Sequence, residues 1–269
     1  NRIFNKLDEL SILLKSKMFD IVAITETWLS DDIPDSVVHV NEYSVFRQDR
    51  NGTIGGGVMC YISKNIFSRV LDLETRNDLN FEILWLLVRP MLLSRPLSIV
   101  IVAVLYCPPW YNADLCSKLS RYLVSCVDEL YRKYNHPCFL IVGDFNSLDC
   151  NLFNKYLHLK QLVINPTRGE NILDKIFTNK SDFFDIPVTL PPLGRSDHVC
   201  IHLKPKHRQT SLSTIAPVMR RNLCDSVIDQ IGFDLVHVRW VDMFRLDDVQ
   251  SQADFFILLC YPLLINMHQ

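Results

Sequence analysis

The chain has 269 residues, 48% of them hydrophobic and 22% charged. That balance excludes a disordered chain and leaves enough apolar material for a sizeable core without disulfide staples. Lys and Arg number 28 against 30 Asp and Glu, so no global basic field recruits a polyanion and nucleic-acid contact must come from a local patch. Nine scattered cysteines include no CxxC pair, which points away from structural zinc and toward reduced, mostly buried thiols in an intracellular compartment.

Leu7, Leu10, Leu13 and Leu14 recur at helical spacing and predict an opening amphipathic helix that ends near Phe19. Ile21 to Ile24 then form a short buried strand that stops at Thr25, Glu26 and Thr27, leaving a carboxylate at the carboxyl end of a core strand. Strands follow over Tyr43 to Arg47 and Val58 to Ile62, separated by a polar loop with Gly52 and the triplet Gly55, Gly56 and Gly57. No GK[ST] follows these glycines, so they read as a loop and strand start rather than a phosphate loop.

The apolar stretch from Phe81 to Tyr106 is broken by Arg89, Pro90, Arg95 and Pro96. It predicts two strands, neither near the roughly 20 residues of a membrane span, so no membrane partner is expected. Trp28 and Trp85 read as core packing. Leu115, Leu119, Leu123, Val127 and Leu130 predict a second helix over Ala113 to Tyr134. A core strand, Phe139 to Val142, ends in Gly143, Asp144, Phe145 and Asn146, and the last strands are Ile172 to Phe177 and Val199 to Leu203, beside Asp174 and Asp197. Interleaved strands and helices predict an α/β or α+β sandwich. From Lys204 to Ser213 the chain turns polar and basic, which reads as a linker with a boundary near residue 207. Beyond it, Val227, Ile231, Leu235, Trp240, Phe244 and Leu246 predict helices without a β element.

Polar groups gather at the ends of buried strands: Glu26, Tyr106, Asp144 with Asn146, Asp174, and Asp197 with His198. Charged groups there cost desolvation energy unless they pair or bind a metal. A shared, oxygen-rich site with one histidine suits Mg²⁺, or Mn²⁺, better than zinc. The plainer readings are a turn-capping Glu26, a simple turn at Asp144 and Asn146, an ordinary polar His198, an ion pair of Asp174 with Lys175 or Arg168, a strand-closing Tyr106 and a capping hydroxyl at Thr167. Arg47, Arg50, Arg168 and Arg195 either line a DNA groove or are solvated surface.

The motifs TETW around Glu26, LYCPP around Tyr106, GDFN at Gly143 to Asn146, LDKIFTN from Leu173 and SDH at Ser196 to His198 occur in the order used by the endonuclease/exonuclease/phosphatase superfamily. The chain resembles the endonuclease domain of a non-LTR (LINE-type) retrotransposon, with NKLDEL, FRQDR before the glycines, and PTR leading to LDKIFTN favouring that branch. More distant resemblance runs to apurinic/apyrimidinic endonucleases, DNase I and inositol polyphosphate 5-phosphatases.

The resemblance covers about residues 1 to 205 and implies a DNase I-like two-sheet sandwich with helices on its outer faces. It implies Glu26 as a metal ligand, Asp197 as a second acidic group near the metal, and Asp144 orienting or deprotonating the attacking water or protonating the leaving oxygen. Asn146 would hold the phosphate or water, Tyr106 would donate to a phosphate oxygen, His198 would contact the scissile phosphate, and Asp174 would hold His198. Thr167 would supply a supporting hydroxyl.

The implied activity is Mg²⁺-dependent nicking of DNA, in the nucleus, to leave a 3′ hydroxyl that primes reverse transcription, with element RNA reached only through domains outside this chain. Residues 1–207 would form the catalytic domain and 208–269 a helical extension toward a reverse transcriptase. The family's first motif falls before Asn1, so the first strand of one sheet is expected to be missing. A catalytically dead binding remnant and a phosphoesterase for small substrates remain alternatives, and the oligomeric state is not legible.

Overall fold

The computed structural model describes residues 3–50, 52–91, 93, 95–206, 229, 232, 233 and 235–256. The chain divides into two compact units, Asn1–Thr210 and Ser211–Gln269.

In the first unit, a 3-10 turn at Ile3–Lys6 runs into α1 (Leu7–Lys15), which buries Leu10 and Leu14. The helix stops short of the predicted end because Lys17 turns left-handed at φ 55, with its N–H on the Leu14 carbonyl. Strand β1 (Ile21–Thr25) follows, then β2 (Tyr43–Gln48) and β3 (Val58–Ser63). They form a three-stranded antiparallel sheet in the order β1-β3-β2.

A second sheet has six strands in the order β4-β5-β6-β7-β9-β8: β4 (Phe67–Val70), β5 (Glu82–Arg89), β6 (Val100–Tyr106), β7 (Cys138–Asp144), β8 (Lys160–Gln161) and β9 (Asp174–Thr178). Between its strands lie α2 (Ala113–Lys133) and α3 (Asn151–Leu157). Strands β10 (Val188–Leu190) and β11 (Cys200–His202) make a separate antiparallel pair. Among the described residues β1 and β11 each have one strand partner.

Side-chain alternation sorts the core into layers. On β6, Ile101, Ala103 and Leu105 face α2 and α3, packing on Leu119, Leu123, Val127, Phe153 and Leu157. Their neighbours Val100, Val102, Val104 and Tyr106 face the other sheet and meet Val58, Cys60 and Ile62 of β3. On the far side of β3, Met59 and Tyr61 cover α1 through Ile3, Leu10 and Leu14. The order is helix, sheet, sheet, helices.

The predicted long elements are present with shifted ends. Four short ones were not predicted. β4 is a mostly exposed edge with no apolar alternation. α3 has seven residues, too few to show a helical period, and is fixed by Phe153 and Leu157 in the core. β8 and β10 have two and three residues. Strand β9 starts later than predicted because paired backbone bonds between Arg168 and Asn171 close a turn ahead of it.

The cysteines described, Cys60, Cys107, Cys116, Cys126, Cys138, Cys150 and Cys200, are all free thiols. In the second unit α4 (Trp240–Phe244) and residues 249–256 are helical, while Val227 and Ile231 lie outside the described residues. No helix among the described residues is long and apolar enough to cross a membrane.

Gly143 has φ +140, and a Cβ built there would run into the Leu105 carbonyl on the adjacent strand. Gly143→Ala is expected to destabilise the protein by about 3 kcal/mol or more, from backbone strain plus overpacking. Gly169, at φ +55 with open space around it, should lose only about 1 kcal/mol as Gly169→Ala. Urea unfolding midpoints of the two variants check the difference.

Candidate active site

Pairing register carries three of the candidate side chains to one edge. In the parallel β6–β7 pair Tyr106 stands opposite Asp144, and in the antiparallel β7–β9 pair Asp144 stands opposite Asp174. Glu82 opens β5 opposite Tyr106. Residues in register on neighbouring strands share a face, so Glu82, Tyr106, Asp144 and Asp174 form a row turned toward the three-stranded sheet.

Glu26 enters from the opposite sheet, one residue beyond β1. It has φ +54 and Trp28 has φ +57, left-handed values that cost side-chain-bearing residues strain. The glycine loop stabilises this turn: Thr27 N–H donates to the Gly57 carbonyl at 3.3 Å and Trp28 N–H to the Gly56 carbonyl at 2.9 Å. A Cβ on Gly57 would lie 2.6 Å from Thr27 Oγ1, so the close approach requires glycine. The Tyr106 hydroxyl donates to Glu26 Oε1 at 2.5 Å, joining the two sheets. Burial, then that hydrogen bond and the Glu26 charge, push the phenol up, so it stays protonated at neutral pH.

Asp144 is 4% exposed. Burial first, and the Asp174 charge second, raise its carboxyl from 3.8 to about 6, against the Asn146 N–H and His198, which lower it. Between Asp144 and Asn146, Phe145 is fully buried against Phe153 and Phe177. That plug turns its two neighbours toward the site. Asn146 sits at φ +42, a conformation asparagine tolerates. Its N–H donates to Asp144 Oδ1 at 3.0 Å and its Nδ2 donates to the Cys107 carbonyl at 2.9 Å, fixing the amide.

His198 Nδ1 is 2.7 Å from Asp174 Oδ2. That hydrogen bond is the largest influence on the imidazole and raises its pKa above the ordinary value, outweighing partial burial. Thr167 stands behind the pair, 1% exposed. Its Oγ1 accepts the Leu173 and Asp174 N–H groups at 3.0 Å each, and its carbonyl accepts the Val199 N–H at 3.0 Å. One buried threonine thereby ties the start of β9 to the residue after His198.

The predicted arginines divide. Arg47 is engaged within the protein by Asp35, Asp49 and the Ile33 carbonyl, and is not brought to the cluster. Arg50 Nε and Nη2 donate to Glu82 Oε1 at 2.8 and 2.5 Å, and its Cζ lies 5.8 Å from the Tyr106 ring. Arg168 pairs at 2.6 Å with Asp197, both half exposed at the rim. Burial is the largest single influence on Asp197 and raises its pKa, but its own backbone N–H, the Arg168 charge and His198 together lower it overall. Arg195 is exposed on the same loop. Trp85 is buried in the core, whereas Trp28 is half-buried beside Gly55.

Sequence reasoning missed Glu82. It is 4% exposed, binds Arg50 and accepts the Gly57 N–H at 2.5 Å, so it holds both the arginine and the glycine loop. An acid opening the apolar run of β5 was the available signal.

The site can hold a hard cation. Asp144, Asp174 and His198 each offer a ligand atom, and these lie within 4.8 Å of one another. Asp174 Oδ2 faces His198 Nδ1, while Glu26 and Asp144 accept from a phenol and a backbone N–H, both neutral. A buried Asp144 with the part-buried Asp174 and Glu26 carboxylates near it fits a divalent ion.

Comparison with solved structures gives the fold. A 3′ phosphatase from Neisseria bound to product DNA hairpin is similar at 13% identity with a TM-score of 0.56, over 77% of this chain and 96% of that one. An AP endonuclease from Archaeoglobus fulgidus is similar at 14% identity and 0.51, over 77% and 96%. Truncated Caenorhabditis elegans TDP2 is similar at 11% identity and 0.52, over 74% and 89%. The architecture is therefore the DNase I-like sandwich expected. A search of curated proteins by sequence returns no match. The family described as endonuclease/exonuclease/phosphatase matches residues 4–198, most of the chain, and with the acid, amide and histidine cluster inside that span the chain belongs to that family.

Proposed function

We propose that the chain is a Mg²⁺-dependent DNA endonuclease that nicks one strand by phosphodiester hydrolysis and leaves a 3′ hydroxyl. The observation that carries this reading is the convergence of Glu26, Tyr106, Asp144, Asn146, Asp174 and His198 at one edge of the sandwich, from both sheets and three loops. A structural neighbour bound to product DNA supports the choice of substrate.

Glu26 is assigned as the principal metal ligand next to Asp144, and Asp197, paired with Arg168 at the rim, as a second acidic group nearby; Mn²⁺ suits the same oxygen donors. A bound divalent ion would neutralise phosphate charge as it develops. Asp144, with its carboxyl near 6, is ionised at neutral pH and takes the proton of an attacking water, which the Asn146 amide orients. Asp174 raises the His198 pKa and so favours the imidazolium, and His198 donates to a non-bridging phosphate oxygen. Tyr106 supplies a neutral hydroxyl beside Glu26. Water attacks in line as the P–O3′ bond breaks, the leaving oxygen takes a proton from solvent to become the 3′ hydroxyl, and no covalent enzyme intermediate forms.

The order of motifs NKLDEL, FRQDR and PTR before LDKIFTN supports a finer reading. The chain would be the endonuclease of a non-LTR retroelement, acting in the nucleus, with residues 208–269 leading toward a reverse transcriptase.

The test is nicking of supercoiled plasmid by the purified chain. Relaxed circles should form with Mg²⁺, be absent in EDTA, and carry ends that a DNA polymerase extends. Cleavage of small phosphate esters alone would replace this reading with a phosphoesterase, and a folded chain that binds DNA without cutting it would replace it with a binding remnant. Glu26→Gln should raise the Mg²⁺ needed for half-maximal rate on the order of 10-fold, with His198→Ala losing about 100-fold in rate at saturating Mg²⁺.

Asp144→Asn should remove activity by at least about 100-fold and yet stabilise the metal-free fold. Its folded-state pKa, about 6 against an ordinary 3.8, means that the ionised carboxylate opposes folding as pH rises through 6. Below about pH 4 folded and unfolded chains both carry the proton. The gain should therefore reach on the order of 2–3 kcal/mol at pH 8 and vanish near pH 4, as read from urea unfolding in EDTA at the two pH values.

A further inference from the structure

Beside the cluster stands a tryptophan that the proposed chemistry does not use. Trp110 is 64% exposed, which is unusual for the largest apolar side chain and marks a contact surface more often than a packing position. Its placement is fixed from both directions. Tyr106 ends β6, Cys107 and Pro108 follow, and Tyr111 N–H donates to the Pro108 carbonyl at 3.1 Å, closing a turn with Pro109 and Trp110 at its centre. Proline at the second position of a turn presets the backbone. On the other side, Asn112 caps α2 by accepting the Leu115 N–H at 2.9 Å. The loop has little freedom to lose when something docks on it.

The ring is also supported by its neighbours and stands near the site. Tyr111 meets Trp110 edge to face at 4.8 Å and itself packs on buried Phe81. Arg50 Cζ lies 5.8 Å from the Trp110 ring and 5.8 Å from the Tyr106 ring. The indole is thus no farther than twice that distance from the tyrosine whose hydroxyl bonds Glu26. Arg50 cannot wander, because the buried Glu82 carboxylate holds its Nε and Nη2. An exposed aromatic face, rigidly mounted and backed by a guanidinium, lies next to a phosphodiester site.

Resting on the endonuclease reading, we infer that Trp110 is a stacking platform for a nucleobase flanking the scissile phosphate, with Arg50 packed over the ring as its backing. A base offers a flat π face that matches the indole, and such stacking needs no hydrogen-bond readout, so it would tolerate any sequence. It would select unpaired or splayed bases over a closed duplex, since a stacked, paired base cannot present its face. The proposal therefore assigns this chain a preference for DNA that is locally open beside the nick.

Binding and hydrolysis separate the proposal from the reading beneath it. In EDTA, fluorescence anisotropy is measured with a short single-stranded oligodeoxynucleotide and with its abasic counterpart of equal length. Trp110→Ala should weaken binding of the first about 10-fold and leave binding of the second unchanged, and Trp110→Phe should recover most of the loss. With Mg²⁺, Trp110→Ala should raise KM for oligonucleotide cleavage by a similar factor while cleavage of the abasic oligonucleotide, which has no ring to stack, stays within two-fold of the parent.

Equal affinity of parent and Trp110→Ala for the normal oligonucleotide would overturn the proposal, as would an equal loss on both oligonucleotides. If no variant hydrolyses either substrate, the endonuclease reading fails by itself, and the anisotropy comparison still decides whether Trp110 stacks on bases.

Discussion

The site depends on the near contact between β6 and β7, where Gly143 lies against the Leu105 carbonyl. Parallel pairing puts Tyr106 beside Asp144, and antiparallel pairing of β7 with β9 adds Asp174 to the row. Because side chains alternate along a strand, a one-residue slip in either pair would send an acid into the helix-covered face among Leu105, Phe145 and Phe177. Burying a charge there is prohibitive, so the two apolar cores enforce the register that the chemistry needs.

Electrostatics at the row is arranged in two tiers. At the periphery, carboxylates meet basic side chains: Glu82 with Arg50, Asp174 with His198, Asp197 with Arg168. Toward the centre, Glu26 and Asp144 meet neutral donors, and the Asp144 carboxyl rises to about 6 in consequence of burial and its acidic neighbours. A fold optimised only for stability would not keep that centre, whereas a site that binds a cation and handles a water proton needs it. Thr167 and Glu82 stand behind the candidate cluster, each fixing backbone N–H groups through a buried side-chain oxygen.

The loops around this centre are stiff for identifiable reasons. Left-handed Glu26 and Trp28 are held by Gly56 and Gly57 backbone bonds, Asn146 is locked between Asp144 and Cys107, and the loop bearing Trp110 is bounded by prolines and a helix cap. Polar groups positioned by bonds already formed need little reorganisation when a phosphate arrives.

The sequence by itself determined the fold class and most strands, because fully buried strands such as Val100–Tyr106 are written as continuous apolar runs. Glu26, Tyr106, Asp144, Asn146, Asp174 and His198 were also legible as candidates, since a polar residue beside an apolar run is visible without coordinates. Exposed β4 and the short α3 carried no period to read. Partner choice was decided only by the tertiary structure. That Arg50 is held by Glu82 while Arg47 is drawn to Asp35 and Asp49, that Thr167 bridges β9 to the histidine loop, and that Trp110 stands exposed beside Arg50 all follow from which loops meet. Local sequence fixes where a strand ends and what it carries, but distances between residues far apart in the chain arise only when both sheets close on their common core.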